Sequence, residues 1–76
     1  MRYSALTPAQ QLEIAKDRLL NIEADHYVQD LENRLAIALE DEKVKEVTAL
    51  KRDKFAVCIR ELEDEIDKLE DRIAAS

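Results

Sequence analysis

The chain has 76 residues, a net charge of −6, no glycine, one proline and one cysteine. These features exclude an internal disulfide, a zinc-finger ligand set (Cys58 and His26 stand alone) and a turn-rich sheet, since sheets and long loops draw on glycine and proline. The acidic balance argues against a general nucleic-acid binder, which needs a basic face, and against an anionic membrane surface.

What remains is helix. Alanine, leucine, glutamate, lysine and arginine dominate, and all are good helix formers. Residues 1–7 are expected to form an N-terminal arm, with a single helical domain over 8–76. No apolar run approaches membrane-spanning length, and residues 1–20 lack a signal-peptide core. A soluble cytoplasmic protein is the expectation.

The first helix has a clear start. Thr7 can cap, Pro8 suits the first helical position, and Gln10 can reach back to the cap backbone. From Pro8 the pattern is helical to about residue 40, but it carries two apolar stripes. Leu12, Ala15, Leu19 and Ile22 form one. Leu20, Ala24, Tyr27, Leu31, Leu35 and Ala38 form another, roughly 150° around at 100° per residue. Val28 and Leu39 flank the second stripe, and two stripes predict either a helix that touches two neighbours or one whose first turns contact a different chain.

Glu40-Asp41-Glu42 would sit badly at a helix C-terminus, where the dipole is negative, and well at an N-terminus with Asp41 as cap. The spacing therefore predicts a break here and a second helix over about 42–74. Two helices of similar length, each ~50 Å long, suit an antiparallel hairpin. The glycine that commonly ends a helix is missing, so one unbroken rod is the rival.

The inner face of the second helix is expected to collect Val44, Val47, Phe55, Ile59, Leu62, Ile66, Leu69 and Ile73. From Phe55 onward the intervals are 4, 3, 4, 3 and 4, a heptad seam. Counting back from Phe55, the equivalent positions hold Arg52, Thr48, Lys45 and Asp41, so the strict seam is expected to stop and Val44–Leu50 to pack by a looser period. Isoleucine at a and leucine at d favour a parallel dimer, but such a dimer would set Glu65 against Glu70. Between Ile59 and Ser76 seven acids meet three bases, which favours an antiparallel neighbour or a partner with basic flanks. Hairpin core and intermolecular seam are both open, and a bundle of two hairpins would satisfy both.

Candidate chemistry is thin. Glu23 and His26 have the Glu-x-x-His spacing of di-iron bundles, but such a site needs two motifs and two further inward glutamates. His26 has no nucleophile to serve and reads as a boundary residue. Cys58 reads as a partly buried, inert thiol at the margin of the seam. Lys43, Lys45, Lys51, Arg52 and Lys54 are interleaved with acids, so residues 41–55 sum to only +1 and read as a solvated face. No catalytic, cofactor or metal residue is assigned, and no enzyme activity, cofactor, nucleic acid, membrane or small-molecule substrate is expected. The residues expected to bury against a partner are Phe55, Ile59, Leu62, Ile66, Leu69 and Ile73.

The segment Arg18-Leu19-Leu20-Asn21-Ile22-Glu23-Ala24-Asp25-His26-Tyr27 resembles small helical proteins encoded among the virion genes of tailed actinobacteriophages. The likeness covers ten to twenty residues and contains no catalytic motif. It implies a virion-associated structural or assembly component and carries no activity with it.

The expected architecture is thus all-α: two long helices, an antiparallel hairpin, packing into an oligomeric helical bundle or coiled coil. The expected function is a non-enzymatic structural or assembly protein acting through coiled-coil packing, as a homo-oligomer or with another helical protein. The alternative is an acidic inhibitor or decoy occupying a basic groove on another protein. Against it, many acids have a base three or four residues away, such as Glu13 with Lys16 and Asp64 with Lys68.

Overall fold

A computed structural model describes residues 5–75. Two helices account for almost all of them: α1, Pro8–Ala38, and α2, Glu42–Ala75. They pack against each other as an antiparallel hairpin measuring 54 × 24 × 14 Å. No strand occurs among the described residues, and no helix is long and apolar enough to cross a membrane. The expected arm falls largely on residues 1–4, outside the described residues; Ala5 and Leu6 form a turn and a bend before Thr7.

The start of α1 follows from its sequence. Thr7 is extended at φ −73°, ψ 158°, its hydroxyl accepts from the Gln10 amide at 3.1 Å, and the Gln10 side chain accepts from the Thr7 amide at 2.9 Å. Two of the amides that a helix N-terminus leaves unpaired are thereby satisfied.

The break between the helices is made without glycine. Leu39 is the C-cap of α1, and Glu40 takes the left-handed conformation at φ 57°. The Glu40 amide donates to the Ile37 carbonyl at 3.1 Å and the Asp41 amide to the Ala36 carbonyl at 2.9 Å, which is the Schellman pattern. One residue later the chain starts again: the Asp41 carboxylate accepts from the Val44 amide at 3.2 Å, and Glu42 supplies a favourable charge in the first turn. The local chemistry of Asp41 and Glu42 thus decides against the unbroken rod.

A left-handed conformation costs an L-residue roughly 1–2 kcal/mol, and glycine escapes that cost. Glu40→Gly is therefore expected to stabilise the hairpin by about 1 kcal/mol, after allowing for the greater freedom of glycine in the unfolded chain. Urea unfolding followed by circular dichroism at fixed protein concentration measures this. A loss of stability would mean that the Glu40 side chain contributes more than its backbone costs.

The core is small. Ala15, Ile66 and Leu69 form its buried cluster, with Leu12 and Leu19 packed against it; Ile22 and Ala36 are buried further along α1. Leu69 is the most completely buried large side chain, at 1 % exposure. The cluster of Ala15, Ile66 and Leu69 lies toward the end of the hairpin away from the loop, whereas Ala36 lies beside the loop. Toward the loop the seam changes character. Asn33 and Thr48 are buried there, with Arg52 half-buried beside them.

Two expectations about α2 are corrected here. The heptad does not stop at Phe55: it continues back through Arg52, Thr48 and Lys45, which occupy the contact line as polar residues. Val44 and Val47, expected on the inner face, are 40 % and 44 % exposed. The reason is geometric. Each precedes a seam position by one residue, which rotates it about 100° off the contact line. Residues Val44–Leu50 thus keep the seven-residue period of the rest of the helix, and Leu50 also faces outward.

Candidate protein-interaction surface

The six residues expected to bury against a partner all lie on the side of α2 that faces α1. Ile66 and Leu69 are buried, Phe55, Ile59 and Leu62 are half-buried, and Ile73 is 37 % exposed near the end of the helix. Within this chain their neighbour is α1. The hydrogen bond between Asn33 and Thr48 fixes the antiparallel register, and it sets Leu19 level with Leu62 and Ala15 level with Ile66. The first stripe of α1, Leu12, Ala15, Leu19 and Ile22, is the opposing wall.

Beyond Ile22 that wall continues at heptad intervals with His26, Gln29, Asn33 and Ala36. The Asn33 amide donates to the Lys45 carbonyl at 2.9 Å and to the Thr48 hydroxyl at 3.2 Å. The Thr48 hydroxyl in turn donates to the Val44 carbonyl at 2.7 Å. The Arg52 guanidinium donates to the Asn33 side-chain oxygen at 3.2 Å and reaches Asp30 at 3.5 Å, and Asp30 also pairs with Arg34 at 3.2 Å. Polar residues therefore fill the seam without leaving a buried side-chain nitrogen or oxygen unpartnered among the described residues. Apolar periodicity alone misses this layer. The signal that could have found it is the seven-residue interval running through Arg52, Thr48 and Lys45 whatever their polarity.

The second stripe of α1 has no cover in the hairpin. Leu20, Tyr27 and Leu35 are 66 %, 59 % and 56 % exposed, Val28 beside them is also exposed, and Leu31 is half-buried. Burial in one direction and exposure in the other is what two stripes about 150° apart require when only one neighbour is present. Large apolar side chains gathered along one helix face mark an interaction site more strongly than the same residues scattered singly.

A shallow groove of about 350 Å³ opens on one edge of the hairpin near its termini. Leu6, Ile14, Leu62 and Leu69 line it, and Arg18 and Glu65 stand on its rims from opposite helices. It offers apolar contact and two opposite charges, with no nucleophile or metal ligand set.

The remaining chemical candidates do not converge. His26 is half-buried on the contact line, level with Phe55 in the register set by Asn33 and Thr48. Cys58, expected to be partly buried, is exposed because it sits one residue before the seam position Ile59. Among the described residues no group of three or more His, Cys, Asp or Glu side chains could hold a metal ion. Lys45 pairs with Glu42 at 3.0 Å and Arg52 lies 3.6 Å from Asp53, so part of the basic stretch is engaged with its own acids. No family model matches the chain, and neither a curated protein nor a solved structure matches it.

Proposed function

We propose that this chain is a non-enzymatic structural or assembly protein whose hairpin associates with a further helical surface to complete a bundle. The observation that carries this reading is the uncovered stripe of α1: the hairpin uses one apolar face of that helix and leaves Leu20, Tyr27 and Leu35 in water. Burying a large apolar side chain is worth about 1.5–3 kcal/mol, so a helical neighbour on this face gains substantially from docking. A small core supports the same reading, since chains of this length commonly draw stability from association. The resemblance of residues 18–27 to tailed-phage virion proteins favours a virion or virion-assembly setting for such a module.

Light scattering across a concentration series tests this. The expected result is a mass that is a multiple of 8.8 kDa, falling toward a single chain on dilution. A folded monomer at all concentrations would remove self-assembly and favour the acidic decoy instead.

A further inference from the structure

The outer stripe of α1 has a symmetry that selects its occupant. In Leu20, Ala24, Tyr27, Val28, Leu31 and Leu35 the intervals run 4, 3, 1, 3 and 4, the same read in either direction. A two-fold axis between Tyr27 and Val28 therefore sets Leu20 of one copy level with Leu35 of the other, Ala24 with Leu31, and Tyr27 with Val28. A two-fold interface needs a self-complementary patch of this kind. One step further out the same axis would set Asp17 against Ala38, so the symmetric apolar stretch ends with Leu20 and Leu35.

The charges beside the stripe can be read in the same arrangement. On one edge, Glu23 of one copy comes within about 3 Å along the axis of Arg34 of the other, close enough for a rim ion pair at both ends of the interface. Arg34 already contacts Asp30 of its own chain, so its guanidinium would bridge the two carboxylates. On the other edge Asp25 and Glu32 approach as like charges. Lys51 of α2, level with Asp30 in the hairpin register and so about 3 Å along the axis from Glu32, is exposed near that edge and offsets them. Exposed like-charge pairs cost only tenths of a kcal/mol.

We infer that the outer face of α1 is a homodimer interface in which a second copy packs its own α1 antiparallel across Tyr27 and Val28. The product is a four-helix assembly with the two α1 helices at its centre and the two α2 helices outside. This rests on the self-assembly reading above and specifies its surface and orientation.

Two measurements on the full chain decide it. Tyr27→Asp with Leu35→Asp should weaken self-association by roughly 100-fold or more while leaving helix content unchanged, since neither residue faces the hairpin seam. In a Cys58→Ser background, Val28→Cys should form a disulfide-linked dimer on mild oxidation, because its two copies lie beside the axis. Leu20→Cys alone should not, its copies being about 22 Å apart, whereas Leu20→Cys mixed with Leu35→Cys should cross-link. Self-cross-linking of Leu20→Cys would mean parallel packing and overturn the inference. Self-association that survives the double aspartate variant also overturns it while sparing the broader assembly reading. A monomeric unmodified chain overturns both.

Discussion

Leu69→Ala is expected to cost about 3 kcal/mol, within the 2–5 kcal/mol typical of large-to-small changes in a packed core. Leu69 is the most completely buried large side chain and belongs to the cluster of Ala15 and Ile66, with Leu12 and Leu19 packed against it. Leu12 is level with Leu69 across the hairpin, and the adjoining Ala15 is too short to fill the space that truncation leaves. At roughly 0.05–0.15 kcal/mol per residue, a chain of this length has a total stability of only about 4–11 kcal/mol, so one substitution removes a large share. Urea unfolding by circular dichroism, at one fixed protein concentration, reads the loss. Val57→Ala is the control: Val57 is exposed on the same helix, and its truncation should stay within about 0.5 kcal/mol. Equal effects at the two positions would mean that Leu69 is not buried as the hairpin has it.

The helix boundaries were legible in the residues themselves because they rest on local chemistry. Thr7, Pro8 and Gln10 specify a capping box wherever the chain goes next, and Asp41 with Glu42 specifies a helix start. The missing glycine kept the rod alive as a rival, since nothing about Glu40 announces a left-handed residue; the Schellman bonds to the Ile37 and Ala36 carbonyls and the Asp41 cap accompany it. The two stripes of α1 were legible too, as was the inward direction of Phe55, Ile59, Leu62, Ile66 and Leu69. The polar half of the seam was not. Hydrophobicity draws the eye to Val44 and Val47, whereas the contact line passes through Lys45 and Thr48. A buried polar residue reveals itself only with its partner, and Asn33 is separated from Thr48 by fifteen positions and a turn.

That polar half suggests what selects the hairpin's register. The apolar positions near the termini are shape-tolerant: leucine and isoleucine could pack one heptad out of step at modest cost. Asn33 tolerates no such shift, because its amide finds the Lys45 carbonyl and the Thr48 hydroxyl, and its oxygen finds Arg52, in one alignment only. A shifted pairing would leave a buried amide unsatisfied at about 1–3 kcal/mol. Polar residues at core positions of coiled helices are known to fix register at some cost in stability.

Replacing both partners, Asn33→Leu with Thr48→Val, is therefore expected to raise stability by roughly 1–2 kcal/mol while loosening specificity. Arg52 keeps Asp30, and the Val44 and Lys45 carbonyls lie within α2, so the double change strands little. The stability gain should appear as a higher urea midpoint. The loss of specificity should appear as more than one species in light scattering or as duplicated backbone resonances in a nitrogen–proton correlation spectrum. Asn33→Leu alone should fall between the two, since the Thr48 hydroxyl retains its own bond to Val44. A double variant that is less stable and still a single species would reverse the assignment: the layer would then be a net source of stability, and register would be set by the loop through Glu40 and Asp41.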